Sequence, residues 1–205
     1  MKTKILTALC AACVSSILTA SEAFPLLDLS KSTKGFNCYG NLKLELAEAA
    51  GVKYLDIRVK DPNLQKYSAF QLFAVPRIPD AGKYDRLVID LKGNGATGVL
   101  RLLLADRKNK VEWRWNGWRK TSAVPLDNTQ WHKYTFLFKD MVCISKTKAP
   151  FALENVDNLQ LIFGDSAEGD SNAGYQLLKI VAAGSEPENE AVPSEPPREK
   201  GQQQK

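Results

Sequence analysis

An all-β fold, an antiparallel β-sandwich of jelly-roll type, is the class the sequence predicts, and three observations carry it. Short apolar runs recur at close intervals from Phe24 to Ala183, with Gly, Pro, Asn and Asp between them. Several of these runs alternate: Leu42, Leu44 and Leu46 stand against Lys43 and Glu45, and Leu55, Ile57 and Val59 against Asp56, Arg58 and Lys60. A period of two turns one face of a strand to a core and the other to water, as in an antiparallel sheet. The chain also lacks the regular strand–helix alternation that a doubly wound parallel sheet requires.

In chain order the runs predict strands over 26–29, 42–46, 54–59, 69–75, 86–91, 99–105, 111–115, 134–138, 159–163 and 175–181. Only residues 46–50 are ambiguous, because Ala and Glu there would also suit a helical turn. So many short strands punctuated by turn residues fit a sandwich rather than an open sheet.

The two ends read differently. Met-Lys-Thr-Lys, an apolar run from Ile5 to Leu18, and the small residues Ser21 and Ala23 have the order of a secretory signal, so residues 1–23 are expected to be a signal peptide cleaved after Ala23. A retained membrane span would need about 20 apolar residues, and Ser15, Ser16 and Thr19 interrupt this run. Cys13 lacks the branched apolar residue upstream that a lipid-anchoring signal carries. Residues 24–184 form the expected β-sandwich domain, and residues 185–205, rich in Glu, Pro and Gln, have too little apolar surface to offset ordering entropy and are expected to be a disordered tail. The protein is accordingly expected to be secreted or periplasmic, with no membrane span.

Loss of Lys2, Lys4 and Glu22 with the signal leaves 26 basic and 22 acidic residues, a formal charge of +4. The basic residues are interleaved with acidic ones and form no run, which argues against a nucleic-acid partner. Cys38 and Cys143 are the two cysteines left in an exported chain, and an oxidising compartment predicts a disulfide between them. The alternative is two separate thiols packed as small hydrophobes.

Gly93, Gly95 and Gly98 spell G-x-G-x-x-G after a predicted strand, the wording of a dinucleotide fingerprint. The fingerprint needs a helix next, and only about ten residues separate Gly98 from the turn at Lys108 and Asn109. A glycine-rich loop between two strands is the expected reading.

A longer pattern surrounds these glycines. Tyr84-Asp85-Arg86-Leu87-Val88-Ile89-Asp90-Leu91-Lys92-Gly93-Asn94-Gly95 is followed by a hairpin over 102–115, by Pro125-Leu126, by Trp131-His132-Lys133-Tyr134-Thr135-Phe136, by Phe138-Lys139-Asp140 and by Gly174-Tyr175-Gln176-Leu177-Leu178-Lys179-Ile180. This succession resembles that of bacterial carbohydrate-binding jelly-roll modules with the galactose-binding-like fold. The resemblance spans roughly residues 35–183 and implies a lectin-like sandwich with a glycan or polysaccharide partner. Trp131 resembles a core position of that family. The closing strand departs from the pattern, since Gln176 to Lys179 includes no acidic residue after the aromatic, so a metal site built there is not implied.

Chemistry for catalysis is sparse. His132 is the only histidine, and neither G-x-S-x-G nor H-E-x-x-H occurs. Paired carboxylates for glycoside hydrolysis remain open, because many Asp and Glu are present and nothing singles out a pair. No cofactor motif stands out. The segment 164–172, with Asp165, Glu168 and Asp170, offers oxygen ligands that calcium would accept, but it lacks EF-hand spacing and reads equally as a solvated turn.

The tryptophans supply the binding candidates. Trp113 and Trp115 share a strand face, and Trp118 follows in the next loop. Hydrophobicity alone would bury the pair beside Leu100, Leu102 and Leu104. Turn chemistry points elsewhere: Asp106 to Asn109 suit a three-residue hairpin turn with Asn109 left-handed, which sets Leu103 opposite Trp113 and Arg101 opposite Trp115. In that register Trp113, Trp115, Trp118 and Arg101 form an aromatic platform for a sugar, with Trp118 the most exposed. Three functions stay open: a non-catalytic carbohydrate-binding module, a secreted sandwich that holds a protein partner, and an unrecognised glycan-active hydrolase or lyase.

Overall fold

The computed structural model describes residues 23–184 apart from 30, 31, 33, 62–67, 97, 98, 118–123 and 164–173. The strands are β1 (Ala23–Asp28), β2 (Phe36–Tyr39), β3 (Leu42–Ala49), β4 (Val52–Val59), β5 (Ser68–Leu72), β6 (Arg86–Gly93), β7 (Val99–Asp106), β8 (Val111–Trp115), β9 (Val124–Pro125), β10 (His132–Leu137), β11 (Met141–Cys143), β12 (Asn158–Phe163) and β13 (Gly174–Ala183). They build two antiparallel sheets. The first runs β10-β6-β13-β4-β3 with β1 also on β13; the second runs β11-β8-β7-β12-β5-β2 with β9 also on β7. Among the described residues the helical elements are short 3-10 turns. Among the described residues no helix is long and apolar enough to cross a membrane.

The alternation in the sequence builds the core. Leu55, Ile57, Leu87, Ile89 and Leu91 turn inward from the first sheet and meet Phe70, Leu100, Leu102, Leu104, Leu159 and Leu161 of the second, all at most 2 % exposed. Burying each such side chain contributes about 1.5–3 kcal/mol, so this two-sheet contact dominates stability. The ambiguous segment 46–50 is strand up to Ala49, where Ala50 and Gly51, with φ of 50° and 77°, close a two-residue turn onto Val52. Positive φ at both central residues belongs to the type I′ turn, whose twist matches paired strands.

Strand β13 serves two partners along one edge. Its first half pairs with β4, with Leu177 opposite Leu55, and its second half pairs with β1, with Ala183 opposite Ala23. On the other edge it pairs with β6, and the register shifts by one residue between Leu177 and Lys179. That bulge lets Tyr175 and Leu177 on one side, and Ile180 and Ala182 on the other, all point inward.

The structure corrects two expectations. Cys38 and Cys143 are free thiols. They lie on β2 and β11, the two ends of the second sheet's strand order, five strand steps apart. At about 4.8 Å per step that is on the order of 20 Å, whereas a disulfide needs Cα atoms within about 7 Å.

The β7–β8 hairpin also differs. Asp106 stands opposite Val111, so four residues turn rather than three, and the left-handed residue is Lys110 with φ 56°. The Asp106 carboxylate holds this turn, accepting from the Asn109 backbone N–H at 3.0 Å and from Asn109 Nδ2 at 2.7 Å. Trp113 therefore lies opposite Leu104 instead of Leu103. A one-residue slip moves every side chain to the other face.

The glycine-rich segment joins strand to strand, β6 to β7, as expected. Gly93 faces the Leu126 backbone so closely that a Cβ would overlap its carbonyl, and Gly95 adopts φ 85° while its N–H donates to that same carbonyl at 3.3 Å. Close backbone approach and positive φ are what glycine supplies at these two positions.

Candidate functional site: the outer face of the first sheet

The slipped register separates the tryptophan site of the sequence reading. Trp113 is 2 % exposed, its ring packs edge to face on Phe151 at 5.4 Å, and its Nε1–H donates to the Ala149 carbonyl at 3.2 Å. Trp115 is partly buried on the same inner side, 5.0 Å from Phe136. Arg101 is 5 % exposed and pairs with Ile162, whose side chain belongs to a separate small cluster with Ala69, Leu103 and Ala105 on the opposite face of that sheet. Trp118 and segment 164–172 lie outside the described residues. Among the described residues, no group of three or more His, Cys, Asp or Glu side chains is placed to hold a metal ion.

An aromatic pair occurs elsewhere. Trp131 is 43 % exposed, against the core position that the resemblance implied, and its ring meets Tyr54 edge to face with centroids 6.1 Å apart. Alternation explains both placements: Tyr134 and Phe136 turn inward from β10, so Lys133, Thr135 and, one step earlier, Trp131 turn outward. Tyr54 likewise alternates with the buried Leu55. Strands β6 and β13 lie between β10 and β4, a span of about 14 Å at the usual strand spacing. The two rings therefore reach toward each other over the intervening strands and bridge the outer face.

Polar rows flank the bridge. In one row Lys92, Gln176 and Asp56 stand opposite one another on β6, β13 and β4. In the next, Lys133, Asp90 and Lys179 stand opposite one another on β10, β6 and β13. A groove of about 300 Å³ lies on the first row's side, lined by Asp56, Arg58, Lys92, Asn94, Thr129 and Gln176. A second, of about 320 Å³, lies on the other, lined by Arg86, Val88, Asp90, Lys133, Thr135 and Lys179. The Arg58 Nε–H donates to both Asp56 oxygens at 3.0 Å, and this bond, together with the carboxylate's charge, holds the guanidinium pKa above its ordinary value. The arrangement offers two flat apolar surfaces and several hydrogen-bonding side chains, with no activated nucleophile or acid–base pair described among them.

Comparison with solved structures agrees with this architecture. A family 11 carbohydrate-binding module of the cellulosomal cellulase Lic26A-Cel5E of Clostridium thermocellum superposes with a TM-score of 0.57 at 12% identity, over 82% of this chain and 97% of that one. The family 11 module from Clostridium thermocellum in complex with a β-1,3-1,4-mixed-linked tetrasaccharide gives 0.60 at 13% identity, over 82% and 98%. The fold is that of the carbohydrate-binding jelly rolls. A solution structure of CtCBM11 gives the same score, identity and coverage. No protein-family model and no curated relative matches the sequence.

The jelly-roll expectation thus holds, while the exposed aromatic that the sequence reading set aside is Trp131. Its signal was present in the alternation Trp131, Lys133, Thr135 against Tyr134 and Phe136. Tyr54 carried the same signal, on the outward face with Asp56 and Arg58, but its pairing with Trp131 did not show, since the two come from strands three positions apart.

Proposed function

We propose that the protein is a secreted, non-catalytic carbohydrate-binding module that holds a glycan along the outer face of the first sheet. The pair made by exposed Trp131 and half-buried Tyr54, set between two grooves lined by polar side chains, is the observation that supports this reading. The CH-rich faces of a pyranose match an aromatic surface, and sugar hydroxyls can donate to Asp56 and accept from Lys92, Arg58 and Gln176. The signal-like N-terminus supports export, and the likeness to modules of which one is solved with an oligosaccharide supports the ligand class.

Affinity electrophoresis through gels containing soluble polysaccharides tests it. The protein is expected to be retarded by at least one polysaccharide, and Trp131→Ala to run as in a plain gel. Unhindered migration of the wild type through every neutral and acidic polysaccharide, with none bound in calorimetry either, would overturn the proposal.

A further inference from the structure

The charges on this face deepen that carbohydrate-binding reading, and their bearing on a ligand rests on it. Basic and acidic side chains on the outer face mostly cancel in pairs: Arg58 Nη2 lies 2.8 Å from Asp56, Lys43 Nζ 3.6 Å from Glu45, and Arg86 Nε 2.7 Å from Asp85. What is left over in the middle is uneven. Lys133 and Lys179 stand directly across from Asp90 on its two neighbouring strands, and Lys92 projects from the same face two residues along β6. Among the described residues none of these three lysines forms an ion pair. Three ammonium groups thus border the two grooves with one carboxylate among them, and one Asp90 oxygen is covered without a protein hydrogen-bond partner.

We propose that the glycan held on this face is acidic, a polysaccharide bearing carboxylate or sulfate groups. Desolvation favours such a chain over a neutral one. A neutral chain laid across the grooves would strip water from Lys92, Lys133 and Lys179 and return only hydroxyl hydrogen bonds, leaving net positive charge partly buried. Carboxylate or sulfate oxygens give the ammonium groups charge-assisted hydrogen bonds instead. Asp90, between two of the lysines, accepts a hydrogen bond from a sugar hydroxyl and disfavours an acidic group at its own position, so acid groups are read on either side of it.

Binding to polygalacturonate, carrageenan and neutral β-1,3-1,4-glucan, measured by affinity electrophoresis and calorimetry at low and at 0.5 M salt, tests the inference. At low salt at least one acidic polymer is expected to bind about tenfold or more tightly than the neutral glucan, with the advantage reduced at high salt. Preference for polygalacturonate identifies the acid as carboxylate, and preference for carrageenan as sulfate. The exposed substitutions Lys133→Gln and Lys179→Gln together should lower affinity for the acidic polymer about tenfold and remove its advantage over the neutral glucan. Tighter or equal binding of the neutral glucan by the wild type overturns the acidic ligand but leaves the carbohydrate-binding reading standing. Equal affinity for polyglutamate, which has charge but no sugar, overturns it as unspecific attraction. Failure of every polysaccharide overturns both. The wild-type comparisons decide the matter even if the lysine variants fold poorly.

Discussion

Trp131 and Tyr54 touch edge to face at 72° between planes although two strands separate theirs. Edge-to-face pairs contribute about 0.5–1.5 kcal/mol beyond their buried area. Each ring is thereby held in place by the other before a ligand arrives. Tyr54→Ala is expected to weaken polysaccharide binding about tenfold or more while lowering unfolding free energy by only about 1 kcal/mol, read by calorimetry and urea titration. A variant with intact binding would show that Trp131 needs no such support.

Trp113 makes the opposite prediction. Its ring fills the core and its indole N–H holds the Ala149 carbonyl. Trp113→Ala should cost about 3–5 kcal/mol in urea unfolding. The more conservative Trp113→Phe should cost less but still leave that carbonyl without its donor.

Thiol counting checks the cysteine geometry. A chain purified without residues 1–23 and left unreduced is expected to expose two titratable thiols, Cys38 and Cys143, on denaturation and to migrate identically with and without reductant. Burial pushes the Cys38 thiol up to about 12, with Lys60 opposing in part, so alkylation of Cys38 at pH 8 in the folded protein should be far slower than in urea.

Alkaline pH should unfold the protein by the same route. A thiol whose pKa is about 12 folded and about 9 unfolded binds more protons in the native state across that interval. Its stabilising contribution is therefore complete below pH 9 and is lost as pH rises toward 12. The fully buried Tyr175 phenol, also raised by desolvation, adds to the loss above pH 10. Melting temperature followed from pH 8 to 11 should fall, and less steeply in Cys38→Ala.

Gly93→Ala tests the loop after β6. The new methyl would overlap the Leu126 carbonyl, a backbone group that cannot swing away, and we expect a loss of about 2 kcal/mol or more by urea titration. Gly82→Ala, where open space surrounds the Cβ position, serves as the control.

Leu42 to Leu46, Leu55 to Val59 and the other alternating runs made the sandwich legible, because a period of two is a local property and survives without knowledge of the partner strand. The site was less so. Whether Trp113 faces out or in depended on one turn residue: three residues and Asn109 left-handed give one answer, four and Lys110 give the other. Both turns are open to the same sequence, and the inward packing of Trp113 on Phe151 decides between them. Cys38 and Cys143 failed for a different reason, since compartment chemistry permits a bond but only strand order sets the distance. The resemblance placed Trp131 in the core, whereas its alternation with Lys133 and Thr135 pointed outward.

The bulge at Leu178 governs how the site tolerates change. Every inward residue of β13 before it is odd-numbered and every one after it is even-numbered, so the extra residue works as a phase shifter. Replacing Leu178 alters one half-buried side chain. Inserting one more residue beside it would bring Ile180 and Ala182 out to solvent, drive Lys179 and Val181 toward the core, and remove Lys179 from its place opposite Asp90. At that position the fold and the binding face both depend on the number of residues, and far less on which residue is there.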